Sequence, residues 1–199
     1  MHQLQGYLMS SMWIAWAAYW VAASRNVKST VRRESLPSRL AHLVPLAVAV
    51  FLIWTPHVAW PVLEMRFLPA SPWLLPVGAL LTLAGLLFTV WARVHLGRNW
   101  SGTVTLKQGH ELVTSGPYAL VRHPIYTGLL LAFAGSALVR GEWRGILALA
   151  LVYGSFWFKL RHEEAWMREQ FGAVYQAYSE RVPALLPFTR RTARSSSWR

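Results

Sequence analysis

The sequence contains no cysteine. Disulfides, thiolate metal centres and cysteine nucleophiles are therefore excluded. It is also poor in charge: Asp, Glu, Lys and Arg make up 14% of the chain while hydrophobic residues make up 54%. Soluble domains carry about 25% charged residues, so a water-soluble domain is not expected. The seven histidines form no H-E-x-x-H pattern and no paired spacing outside one loop, so no metal is expected. The N-terminus lacks a basic n-region and a small-residue cleavage pattern, so no signal peptide is expected. No internal repeat is visible.

What the chain does have is apolar length. Five segments are predicted to cross a membrane as helices, at 7–23, 40–62, 73–94, 125–139 and 146–160. Pro45, Pro56 and Pro61 kink or end the second. The fourth and fifth are short, about 22 Å each as helices. They flank the turn "RGEWRG" and are expected to pack as a close pair, with Gly128, Gly135, Ser136 and Gly154 letting backbones approach. Twelve tryptophans fit the same reading, because indoles favour membrane interfaces.

The 199 residues carry a formal charge of +12. Of the 20 lysines and arginines, all but Arg66, Arg140 and Arg144 fall on one side of a five-span topology. The positive-inside rule then places the N-terminus outside and the C-terminus in the cytoplasm. Basicity on that pattern is a topology signal and an attraction to anionic lipid, so nucleic acid is not an expected partner. The arginine- and alanine-rich composition points to a bacterium and its inner membrane. The expected fold is an all-α integral membrane bundle of about five transmembrane helices, with a cytoplasmic loop and a C-terminal amphipathic helix. Its parts are 1–92 (helices 1–3), 93–188 (the catalytic region) and 189–199 (a disordered basic tail).

Two polar segments remain on the inner side. In the first, "SGPYALVRHPIYTG", Pro124 suits the first turn of a helix, where its missing N–H costs nothing. The free N–H groups of that helix then face a loop with His110, Tyr118, Arg122 and His123, which makes an anion site. The second segment starts at Lys159. Glu164, Met167, Phe171, Tyr175, Tyr178 and Val182 recur at helical spacing and share a face. Lys159, Arg161, Glu163 and Glu164 fall at the membrane boundary, where ionisable residues are paired or functional. Taken alone, a Lys159–Glu163 pair with Arg161 and Glu164 reaching to water would account for them.

"LGRNWS", "GHELVTSGPYALVRHPIYTG", the pair Glu163–Glu164 and "FGAVYQAYSERVPALLPF" together resemble the isoprenylcysteine carboxyl methyltransferase family, one of a wider group of membrane methyltransferases that includes phospholipid N-methyltransferases. The resemblance covers about 93–188. It implies S-adenosylmethionine as cofactor and a lipophilic acceptor entering from the bilayer. The positions carried over for the cofactor are His110, Glu111, Leu112, Val113, Tyr118, His123, Pro124, Ile125, Tyr126 and Glu163. Backbone of the 110–113 segment would read the adenine edge, and Tyr118 and Tyr126 offer aromatic faces. His123 and Arg122 suit a carboxylate; Glu163 and Glu164 suit an ammonium or ribose hydroxyls. Two positions depart from the pattern. Lys159 stands where an arginine is usual, with Arg161 nearby, and Thr103 or Thr105 stands near a usual glutamine.

Methyl transfer to a carboxylate needs a cation, for which Arg161 or Lys159 are candidates; transfer to an amine needs a base, for which Glu164 or His123 are candidates. The leading expectation is O-methylation of an S-isoprenylcysteine carboxylate or an analogue. Methylation of a phospholipid, small amine or thiol is the second reading. A membrane NADPH reductase of the sterol type is the third, since "RHPxYxG" occurs there too, with asparagine where this chain has Ile125. A scaffold with a structural loop is the non-enzymatic reading. The oligomeric state is not legible.

Overall fold

The computed structural model describes residues 2–24, 30–97, 100, 105–107 and 112–187. In chain order the elements are α1 (His2–Ala23), β1 (Thr30–Arg33), α2 (Leu36–Trp54), α3 (Pro61–Glu64), α4 (Leu74–Leu96), β2 (Thr105–Lys107), α5 (Pro117–Leu120), α6 (Pro124–Arg140) and α7 (Trp143–Arg181). The fold is a helical bundle. Two of its helices, α2 and α4, are long and apolar enough to cross a membrane. Their outward faces stay apolar: Val44, Val48 and Phe51 on α2 and Leu80, Leu83, Leu87 and Trp91 on α4 are exposed.

Three features depart most from the sequence reading. The second helix stops at Trp54, because the following residues leave the helical path before Pro56; Pro61 instead starts the separate turn α3. The fifth span and the amphipathic helix are one continuous element, α7. The run "KLRHEE" looks like a membrane exit in sequence, yet nothing in it breaks a helix. The break comes later, at Gly172 (φ 49°, ψ −125°), a backbone state that other L-residues rarely adopt. It turns 173–181 back over α5. The third difference is a short antiparallel ribbon in place of plain loop, with Arg33 opposite Thr105 and Thr30 opposite Lys107. It ties the two basic connections, 24–35 and 97–116, to the same end of the bundle.

The closest helix pair is also a different one. α6 packs far more extensively on α4 than on α7. Glycines make this approach possible: Gly78 lies against Gly135 and Gly85 against Gly128, two contacts seven residues apart on each helix. A Cβ on Gly78 would stand 2.6 Å from the Gly135 carbonyl oxygen, and one on Gly128 would stand 2.5 Å from that of Gly85. Close backbones then bring short hydroxyls into reach. Thr82 Oγ1 donates to Ala132 O (3.2 Å), and two indoles of α1 donate inward, Trp13 to Ser136 Oγ (3.1 Å) and Trp16 to Thr89 Oγ1 (2.7 Å). Gly154, by contrast, faces open space. Gly85→Ala is expected to cost about 1–3 kcal/mol through overpacking, whereas Gly154→Ala is expected to be neutral or to gain up to about 1 kcal/mol of helix propensity. Thermal unfolding in detergent checks the contrast; equal effects would contradict the packing.

Ala49, Leu52, Ile53, Leu86, Tyr126, Phe133, Ala148, Val152 and Phe156 form the core, where α2, α4, α6 and α7 meet. α2 and α7 are pinned at the inner end by Ser155 Oγ donating to His42 O at 2.6 Å. The tail 189–199 lies outside the described residues.

Candidate active site

The turn between α5 and α6 is held by the end of α7. Pro124 opens α6, and the residue before proline is kept out of the helical region; His123 accordingly sits at φ −122°, ψ 64°. Its N–H donates to Ala184 O (3.0 Å), and that of Arg122 donates to Pro183 O (2.8 Å). Thr127 Oγ1 donates to Leu185 O (2.7 Å), and Tyr178 Oη to Tyr118 O (2.7 Å). The chain after the Gly172 break is thus a strap across 118–127.

Under the strap lies an ion network. Arg122 donates Nε (2.9 Å) and Nη2 (2.5 Å) to Glu164 Oε1, and Nη1 to Ser179 O (2.9 Å) and Val182 O (2.5 Å). Arg168 Nη2 donates to Glu164 Oε2 (2.8 Å), and His123 Nε2 lies 3.3 Å from Glu164 Oε1. The Arg122 and Glu164 side chains are 8% and 7% exposed. Burial by itself pushes the Glu164 carboxyl up, but the hydrogen bonds and charges of His123 and Arg122 outweigh it and bring it down to about 2. Burial, helped by Glu163 and Tyr178, pushes the Tyr118 hydroxyl up, so it stays a neutral O–H; burial likewise takes Tyr178 to about 12.

Glu163 points elsewhere. Neighbours on a helix diverge by about 100°, so while Glu164 faces Arg122, Glu163 faces Tyr126. The Tyr126 hydroxyl lies 2.8 Å from both Glu163 oxygens. His123 Nδ1 lies 3.7 Å and Lys159 Nζ 3.9 Å from that carboxylate, which is 21% exposed. The His123 ring stacks on Tyr126 (5.4 Å, 7°), which stacks in turn on Phe156 (4.7 Å, 18°). Lys159 Nζ sits 5.5 Å from the Tyr126 ring centre. On the other flank His95 Nε2 meets Ser115 Oγ at 2.9 Å and its ring stacks against Tyr118.

Of the positions singled out in the sequence, the structure brings together His123, Pro124, Tyr126, Lys159, Glu163 and Glu164. Tyr118 is buried beside them under the strap, Ile125 packs against the core, and Leu112 and Val113 are half-buried in the approach to α5. Arg161 is exposed on α7 and makes no contact with this cluster. His110, Glu111 and Thr103 lie outside the described residues. Arg122 was expected to face a cofactor carboxylate; its donors are instead turned on Glu164 and the strap. Glu164 was expected to meet the cofactor or to act as a base; it is buried, with its oxygens turned on Arg122, Arg168 and His123. Sequence reasoning missed Arg168, whose i,i+4 spacing from Glu164 was a usable signal, and Phe156, which had none.

A carboxylate, an imidazole, an amine and two phenols in one partly buried cluster fit several chemistries. The comparison with known families decides among them. Residues 73–174 match the phospholipid methyltransferase family, more than half of the chain and all of this cluster. The chain belongs to the phospholipid methyltransferase family. It is a methyltransferase, which sets aside the reductase and scaffold readings. Among its relatives in this family, protein-S-isoprenylcysteine O-methyltransferase B of Arabidopsis thaliana is 24% identical over 189 residues, covering 94% of this chain and 93% of the relative. The probable protein-S-isoprenylcysteine O-methyltransferase of Oryza sativa subsp. indica is 27% identical over 173 residues, covering 85% and 88%. The Rattus norvegicus protein-S-isoprenylcysteine O-methyltransferase is 30% identical over 191 residues, covering 92% of this chain and 64% of its own length.

Proposed function

We propose that this methyltransferase is an integral membrane enzyme that methylates the carboxylate of a lipophilic acid, an S-isoprenylcysteine or an analogue, with S-adenosylmethionine as donor. The observation that carries the reading is the buried ammonium of Lys159 beside Tyr126 and Glu163. A carboxylate acceptor needs a cation at the site more than it needs a base. The relatives named for such a substrate align over nearly the whole chain.

The residues present fit the donor. S-adenosylmethionine supplies a methyl group already activated on a sulfonium. Glu163, partly exposed, offers a carboxylate for its ammonium or ribose hydroxyls. Stacking between His123 and Phe156 fixes Tyr126, and the outer face of the His123 ring is the surface left for the cofactor. Glu164 holds His123 and the strap in place, and so acts as a positioning residue. A pocket assembled this way aligns the reactants and keeps water out, which is most of what a direct displacement requires. Lys159 would orient the acceptor carboxylate as a point charge, with less geometric demand than an arginine fork.

Methylation of an amine finds less support. It needs a base titrating near the working pH. Glu164, the carboxylate candidate for that role, is held near 2 with both oxygens engaged by Arg122, Arg168 and His123. The membrane setting is supported by the apolar outer faces of α2 and α4 and by the ribbon that gathers the basic connections at one end. In that setting α1, α6 and the first half of α7 complete five spans, with the N-terminus outside.

The test uses detergent-purified protein, methyl-labelled S-adenosylmethionine and three acceptors: S-farnesylcysteine, phosphatidylethanolamine and a small thiol. Label is expected on S-farnesylcysteine and to be released by mild alkali, as a methyl ester is. Alkali-stable label confined to phosphatidylethanolamine would overturn the carboxylate reading.

A further inference from the structure

At the other end of the bundle from His123, where α1 and α4 begin and α2 and α6 end, lies a cavity of about 390 Å³. That is within the range of about 300–1,000 Å³ typical of small-molecule sites. Its walls are mixed, with Met9, Ile53, Trp54 and Leu75 forming an apolar side and Ser71 and Ser136 among the polar lining. Its rim carries Arg66, Arg140 and Glu142, two cations to one anion. The three are fixed in place. Arg66 Nη1 donates to Arg140 O (3.1 Å), and Arg140 Nη2 donates to Thr55 O (2.6 Å). Glu142 is already engaged by Arg144 Nε at 2.5 Å. That leaves Arg140 Nε, buried and without a hydrogen-bond partner, with the nearest carboxylate oxygen 3.6 Å away. Arg66, by contrast, is exposed, so its guanidinium is the cation that an entering anion meets first.

We infer that this cavity holds a phospholipid of anionic headgroup, with its phosphate at Arg66 and Arg140 and one acyl chain along Met9, Ile53, Trp54 and Leu75. The chemistry that selects it is the combination. The two guanidinium groups take a phosphate, and the apolar part of the lining takes hydrocarbon, which a free phosphate lacks. The inference rests on the membrane reading above but not on the acceptor or on S-adenosylmethionine. The site is remote from the methyl-transfer cluster and belongs to the opposite leaflet.

Gly6 supplies the decisive variant. It lines the cavity, and a Cβ added there meets no atom within 4 Å, so Gly6→Phe puts a bulky ring at the cavity wall with no clash at its first carbon. The full chain is reconstituted with phosphatidylglycerol carrying a photoactivatable group in its acyl chain, and adducts are mapped by peptide mass spectrometry. Adducts are expected to concentrate on 5–10, 53–54 and 74–75, to vanish in Gly6→Phe and to fall about tenfold in Arg66→Gln, the worth of one charge-assisted hydrogen bond. Methyl transfer by Gly6→Phe is expected to match the unaltered protein, so loss of labelling and loss of activity are separate results. Labelling that persists in Gly6→Phe, or that is equal with phosphatidylcholine carrying the same chain, would overturn the inference.

Discussion

Arg122→Ala is expected to be the most destabilising single substitution in the site, by about 3–5 kcal/mol, the usual result of stripping one partner from a buried ion pair. The guanidinium is 8% exposed and satisfies Glu164 together with the carbonyls of Ser179 and Val182. Without it the strap loses its anchor and Glu164 keeps only Arg168, itself half exposed, and His123. Arg122→Lys is expected to recover only part, because an ammonium cannot reproduce the fork that meets Glu164 and two carbonyls at once. The same network has a pH signature. Glu164 lies near 2 in the folded protein against an ordinary value of 4.5. Its folded value is depressed, so its contribution is complete above about pH 4.5 and is lost as pH falls toward 2. At neutral pH that contribution is on the order of 3 kcal/mol. The stability gap between the unaltered protein and Glu164→Gln is therefore expected to be level above pH 5 and to close in acid. Unfolding in detergent followed across pH reads both effects. A change under about 1 kcal/mol in Arg122→Ala, or a gap that does not narrow in acid, would contradict the network.

The parts of the fold that were legible in the sequence are those with local causes. Pro124 predicts the start of α6, and "RGEWRG" the turn between α6 and α7, because proline and glycine act where they stand. What was illegible depends on partners far along the chain. The ribbon joins segments separated by α2, α3 and α4, and a strand of three or four residues carries no periodic signal of its own. Gly128 and Gly135 were read as packing residues, correctly, but against α7; only the facing glycines of α4 at matching seven-residue spacing show the true partner. The end of the fifth span was misplaced because a change from apolar to polar residues marks a change of surroundings and not the end of a helix.

The site divides the same way. Its membership came from the resemblance, and its geometry could not. Glu163 and Glu164 are one residue apart and chemically alike, so sequence reasoning offers both to a ligand. The structure separates them by helix rotation alone: Glu164 is consumed by Arg122, Arg168 and His123, while Glu163 keeps an exposed edge beside Tyr126. Arg161 illustrates the converse. It is adjacent in number to the cluster but lies on the outer face of α7.

The proposed function stands or falls on S-adenosylmethionine binding at the His123–Tyr126–Glu163 face. Glu163 would supply the one charge-assisted hydrogen bond to the cofactor that is not already committed to the fold, worth about 1.5–3 kcal/mol. His123 would supply a ring face beside the cofactor. Calorimetric titration of S-adenosylmethionine into detergent-purified protein measures this directly. Binding is expected in the unaltered chain, with affinity lower by about 10- to 100-fold or beyond detection in Glu163→Ala and in His123→Ala, both still folded by thermal unfolding. Affinity unchanged in both variants would contradict it.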